Sequence, residues 1–137
     1  MLFFLIIMLG RSSVSALGYA TYHYYTPTTP ITSLACSDGR YGLITKGYKG
    51  ISTMYPYVAA FSGISWGSRK CGRCVKVTAP SGKSIRLTLI DGCGPVSGYS
   101  SRLDMSQAAF VELFGTNGIN SGHGYYSKIV YSTGCFN

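Results

Sequence analysis

Hydrophobic and polar residues in this chain alternate at a period of two far more often than they recur at helical spacing. The clearest case is a pair of runs, residues 74–79 and 84–90, where Val75, Val77, Ile85, Leu87 and Leu89 stand at every second position. Pro80-Ser81-Gly82-Lys83 lies between the runs, so the two predict a strand pair closed by a hairpin turn. Residues 18–25, Gly-Tyr-Ala-Thr-Tyr-His-Tyr-Tyr, are rich in strand formers and stop at a Pro/Thr stretch, which predicts a first strand. Residues 125–131 predict a last one. A single segment, from Asp104 to about Phe114, reads as helix. Asp104 and Gln107 make a start resembling a capping box, Ala108, Ala109, Leu113 and Phe114 can form an inner stripe, and Gly115 supplies a stop. With 12 tyrosines and 18 glycines, the expected class is all-β, or β-rich with one or two short helices. No internal repeat or linker divides the chain.

The amino terminus breaks this pattern. Residues 1–9 are nearly all large and apolar, and a small-residue stretch ending Val14-Ser15-Ala16 follows. That predicts a secretory signal peptide over residues 1–16 and a single domain over 17–137. The apolar run is far shorter than the ~20 residues that span a bilayer, so no membrane association is expected once the leader is removed. An exported chain meets an oxidising compartment, and all five cysteines fall after residue 16, so disulfides are expected. Cys71-Gly72-Arg73-Cys74 could in another setting hold zinc or a redox dithiol. Zinc needs four ligands, and only His23 and His123 could complete the set, while the redox reading lacks a βαβ context. Neither metal nor cofactor is expected.

The net charge of +8 arises from 12 basic and four acidic side chains. The cations are scattered without a Lys/Arg run, which argues against nucleic acid and for a surface with a positive bias toward acidic wall polymers.

Several motifs in order resemble one family. They are Ala35-Cys36-Ser37-Asp38-Gly39, Gly42-Leu43-Ile44-Thr45-Lys46, Tyr55-Pro56-Tyr57, Trp66-Gly67-Ser68, Cys71-Gly72-Arg73-Cys74 and Gly82-Lys83-Ser84-Ile85, with the last cysteine. The set is similar to the cerato-platanins, members of the double-psi β-barrel group that includes expansins, barwin and the family 45 endoglucanases. Residues 18–22, Asp91-Gly92-Cys93-Gly94-Pro95 and residues 103–110 resemble the expansin side of that group. The resemblance implies a six-stranded double-psi β-barrel. It also implies that Cys36 pairs with Cys71 and Cys74 with Cys135, a choice that spacing alone leaves among fifteen arrangements. Cys93 is then left without a partner.

The four carboxylates are Asp38, Asp91, Asp104 and Glu112. Asp38 reads as a turn residue and Glu112 as a solvated helix charge. Asp91 reads either as an Asp-Gly turn residue or as a site residue at a strand end, and Asp104 either as a helix cap or as a site residue. The resemblance favours the site in both cases, because the matching aspartates line the polysaccharide groove of expansins. The related hydrolases carry their base on the first strand, where Thr21-Tyr22-His23-Tyr24-Tyr25 has no carboxylate. Hydrolysis needs an acid and a base, so no catalytic residue and no enzyme activity are expected. Pyranose faces pack on aromatic rings, which adds Tyr19, Tyr22, Trp66 and Tyr99, with Thr21 as a hydrogen-bonding neighbour. Tyr99 stands out among the rings because it lies in the Gly/Ser-rich loop between the two aspartates. The expectation is a secreted protein, extracellular or in the cell wall, that binds chitin or cellulose without hydrolysing it. Wall loosening and recognition by a host receptor as an elicitor come from the resemblance. The rivals are a family 45-like endoglucanase and a secreted protein-interaction module such as a protease inhibitor.

Overall fold

A computed structural model describes residues 17–135; the expected leader, residues 1–16, lies outside the described residues. Seven strands are present: β1 Gly18–His23, β2 Val58–Ser62, β3 Cys74–Thr78, β4 Ser84–Cys93, β5 Arg102–Ser106, β6 Gly124–Tyr126 and β7 Lys128–Ser132. Among the described residues one α-helix, α1 Gln107–Ser121, lies between β5 and β6, and a short 3-10 turn covers Ile31–Ser33. All strands join one sheet in the order β6-β1-β5-β2-β4-β3-β7. The pairs β1·β5 and β2·β4 are parallel, and the remaining pairs are antiparallel.

The count of seven strands against an expected six has a local cause. The final segment changes partner at Ser127, pairing with β1 before it and with β3 after it. Ser127 donates its own amide to Thr78 at 2.8 Å. The two edge strands are thus consecutive in the chain, and the sheet curls until its edges meet there. A curled sheet leaves little open edge for other chains to pair with.

Alternation then sorts the side chains. Ala20, Val75, Val77, Leu87, Leu103 and Met105 point inward and are at most 2% exposed. Each fully buried Val or Leu contributes about 1.5–3 kcal/mol. Leu34, Leu43, Ile51 and Met54, from the long connection between β1 and β2, complete the same core. Disulfides Cys36–Cys71 and Cys74–Cys135 tie that connection and the carboxyl end to the sheet. These are the two pairs the resemblance implies, and Cys93 remains a free thiol.

The helix start differs from the sequence expectation. Asp104 is not its cap: it lies within β5, paired to Thr21 on one side and Ala60 on the other. Ser106 is the N-cap, its Oγ accepting from the Ala109 amide at 3.1 Å and donating to the Pro56 carbonyl. Ladder hydrogen bonds on both edges of β5, together with burial of Leu103 and Met105, outweigh one local capping interaction. Gly115 adopts φ 74° and kinks the helix as its sequence signal suggests, yet helical structure resumes and ends only at Gly122, φ 81°. β4 likewise continues to Cys93, which sets Asp91 inside a strand.

Candidate functional site

With Ala20 buried, β1 turns Tyr19, Thr21 and His23 to its outer face. The register carries that face across the sheet, from Thr21 to Asp104 on β5, to Ala60 on β2, to Asp91 on β4. Adjacent strands lie about 4.8 Å apart, so the two aspartates are separated by about 10 Å of backbone with only the Ala60 methyl between them.

The polar side chains on this strip are held in a directed series. Thr21 donates its hydroxyl to Asp104 Oδ1 at 2.8 Å, and its oxygen is thereby free to accept from Arg102 Nε at 3.2 Å and Nη2 at 3.1 Å. Arg102 is anchored in turn by Nη1 on the Gly94 carbonyl at 3.2 Å. The second oxygen of Asp104 faces His23 Nδ1 at 3.9 Å. Asp91 is more fully occupied. Its Oδ1 accepts from the Ala35 amide at 2.8 Å and its Oδ2 from the Tyr25 hydroxyl at 3.0 Å. Burial first, and then the charges of Asp91 and Asp104, push the Tyr25 phenol far above its ordinary pKa, so it remains a donor at any physiological pH.

At the other end of the strip the rings gather. Tyr19 lies 5.0 Å from Tyr99 and stacks parallel to His123 at 5.3 Å. Tyr99 in turn stacks on Tyr125 at 5.7 Å. His123 Nε2 lies 3.1 Å from the Tyr125 hydroxyl. Beside this platform runs a shallow cleft of about 370 Å³, bounded by Phe114, Asn117, Ser121, His123 and Tyr125 from one side and Pro80 from the other. Cys93 adjoins the strip with its Sγ 3.7 Å from the Arg102 carbonyl. Burial pushes its thiol up to about 11, which keeps it protonated and unreactive near neutrality.

Of the residues expected from the sequence, Tyr19, Thr21, Asp91, Tyr99 and Asp104 come together on this surface. Tyr22 does not: it points to the opposite side of β1 and packs its ring on Phe110 at 5.1 Å. Trp66 lies apart as well, 63% exposed, its Nε1 donating to Asp38 at 2.6 Å. Arg102, Tyr25, His123 and Tyr125 were not singled out as part of the site. Period-two spacing held the signal for Arg102, two positions before Asp104, and for His123, two before Tyr125.

Chemically, the strip offers donors and acceptors beside a ring platform. Asp91 is held in place by the Ala35 amide and the Tyr25 hydroxyl, and hydroxyl groups of a ligand can bond Asp104, His23 and Arg102 without any proton transfer.

A family model described as Cerato-platanin matches residues 15–128. The chain is 46% identical over 83 residues to the heat-stable 19 kDa antigen of Coccidioides posadasii, a match covering 58% of this chain and 56% of that protein. It thus spans a little over half the length of the curated relatives it first matches. Cerato-platanin 3 from M. perniciosa superposes with a TM-score of 0.75 at 25% identity, over 88% of this chain and 98% of that one. The apo expansin of Clavibacter michiganensis gives 0.55 at 23% identity, over 87% of this chain and 50% of that one, a likeness of fold alone.

Proposed function

The chain belongs to the cerato-platanin family, and from that premise and the sheet-face strip we propose a secreted protein that binds cell-wall polysaccharide of the chitin or cellulose class without hydrolysing it. The observation that carries the reading is the in-register row Thr21, Asp104, Ala60, Asp91, continued by the Tyr19, Tyr99 and Tyr125 platform. A sugar ring laid on the tyrosines would bring its neighbour's hydroxyls over Asp104 and Arg102. Binding to such a surface rests on ring packing and many modest hydrogen bonds. Secretion is supported by two disulfides, which suit an oxidising compartment. Wall loosening and perception by a host as an elicitor are the consequences this binding would have.

The non-hydrolytic reading is supported by the lack of a carboxylate on β1, where the related hydrolases carry their base. The test is incubation of the purified protein with insoluble chitin and cellulose and with their soluble oligomers. Retention on at least one polymer, competed by its oligomer, with no release of reducing ends, is expected. Release of reducing ends that disappears in Asp91→Asn or Asp104→Asn would establish an endoglucanase instead. Neither retention nor release would favour a protein-interaction module.

A further inference from the structure

Each of the four carboxylates is bonded by a neutral donor: Asp38 by Trp66, Asp91 by Ala35 and Tyr25, Asp104 by Thr21, and Glu112 by Tyr57 at 2.6 Å. Among the described residues the one ion-pair contact is that of His23 with Asp104, so no lysine or arginine has a carboxylate within 4.0 Å. The cations are therefore available, and five of them gather around the loop of residues 68–73. Arg40 and Arg69 lie over the Tyr41 ring at 5.4 and 6.0 Å from its centre. Lys70 lies over Phe61 at 5.4 Å and Arg73 over Tyr131 at 3.6 Å. Lys46 reaches across the loop to the Cys71 carbonyl at 2.6 Å. Burial first, and then the charge of Arg73, push the Lys46 ammonium below its ordinary pKa.

The loop is also rigid. Cys71 is bridged to Cys36, Gly72 donates to the Leu89 carbonyl at 2.7 Å, and successive turns bond Cys71 to Ser68 and Arg73 to Lys70. Like charges held together this way repel, and among the described residues no carboxylate lies within 4.0 Å of any of the five; Asp38, the acid nearest in sequence, is bonded by Trp66.

We infer that this loop binds an acidic polysaccharide, a chain of uronic acid residues, at a surface separate from the sheet-face strip. Guanidinium forks take carboxylates in a two-point geometry that a neutral sugar cannot supply. The exposed ring of Tyr131, 45% accessible, lies under Arg73, and that of Trp66, 63% accessible, stands against Gly39, the neighbour of Arg40 in sequence; both offer flat faces to pyranose units. Polysaccharide is favoured over nucleic acid by the disulfides, which suit an exported protein. It is favoured over a lipid surface because the cations sit on a bridged loop rather than on an amphipathic helix.

Trp66 is the single tryptophan of the chain, so its emission reports on this surface directly. The purified protein is titrated with polygalacturonate by Trp66 fluorescence and by calorimetry. Saturable binding is expected, weakened at least ~10-fold between ~50 and ~500 mM salt as screening shortens the reach of the charges. The double variant Arg69→Gln/Arg73→Gln, checked for folding by circular dichroism, should bind at least ~10-fold more weakly. It should keep its retention on neutral polymer. Asp104→Asn should do the reverse, so failure of one site is distinguishable from failure of the other. If the double variant does not fold, Arg69→Gln alone provides the comparison. Binding that is absent by both readouts, insensitive to salt, or unchanged in the arginine variants would overturn the inference. So would tighter binding of a single-stranded oligonucleotide or of phosphatidylserine vesicles.

Discussion

The outer face of β1 and β5 and the 68–73 loop treat charge in opposite ways. On the sheet face every charged group is placed by a directional bond: Arg102 holds Thr21, Thr21 holds Asp104, and Tyr25 holds Asp91. On the loop the cations rest against rings and backbone carbonyls with no counter-ion. The first arrangement presents fixed donors and acceptors, whose contacts with a neutral ligand salt affects little. The second presents a field, which salt screens. One small domain can in this way offer two surfaces with different selectivities, one on a sheet face and one on a disulfide-bridged loop.

The largest expected effect tests whether the two surfaces are mechanically separate. Replacing both Cys36 and Cys71 by serine opens a loop of 35 residues and should cost about 3–4 kcal/mol in urea unfolding. Below its melting temperature the variant should lose polygalacturonate binding while retaining neutral polymer. Equal loss of both would mean that the bridge supports the whole molecule and the comparison fails.

Next in size is the contrast between the two aspartates. Asp91→Ala leaves the Ala35 amide and the buried Tyr25 hydroxyl without their acceptor and should cost about 2–3 kcal/mol of stability. Asp104→Asn keeps an oxygen for Thr21 and should cost less than about 1 kcal/mol. Similar melting temperatures for the two variants would remove the distinction between a structural and a ligand-facing carboxylate.

Of comparable or smaller size is an alkaline effect. Burial pushes the Tyr126 phenol up to about 12, while the unfolded chain ionises near 10. Its contribution is complete below pH 10 and is lost between pH 10 and about 12, because there the unfolded state alone sheds the proton. A contribution of about 2–3 kcal/mol is lost over that window. Tyr126→Phe should make the fall in urea titrations shallower by about that amount, the remainder coming from Tyr25, which burial also raises. The smallest effect concerns Cys93, raised to about 11. At pH 8 only about a thousandth of it is thiolate, so labelling of the native protein should be slow. Denatured protein should give one reactive thiol per chain.

Much of the fold could be read from the sequence where one physical cause dominates. The β3·β4 hairpin was visible because strict alternation and the Pro-Ser-Gly-Lys link point the same way. The disulfide pairs were not readable from spacing and came with the family resemblance. The helix start was misread because Asp104-x-x-Gln107 is a sound local signal, overridden by strand pairing to residues 83 and 44 positions away in sequence. Ser106, the true cap, looked like any other serine until the end of β5 was known. The site was partly readable for the same reason. Thr21, Asp91 and Asp104 are distinctive residue types at motif positions, whereas Arg102, Tyr25 and Tyr125 gain their roles only through the register that sets them beside those three. Trp66 drew attention as a ring that could pack on a sugar, and the structure sets it against Gly39 with its Nε1 on Asp38, apart from Asp91 and Asp104.

The central claim, that the sheet-face strip holds neutral polysaccharide through Asp104, is tested most directly by a pull-down of wild type and Asp104→Asn on insoluble chitin and cellulose at moderate salt. The account predicts retention of wild type on at least one polymer, competed by the matching oligosaccharide. Apparent affinity should be about tenfold weaker in Asp104→Asn, roughly 1.4 kcal/mol, with an unchanged unfolding curve. Retention of Asp104→Asn as tight as wild type would contradict it.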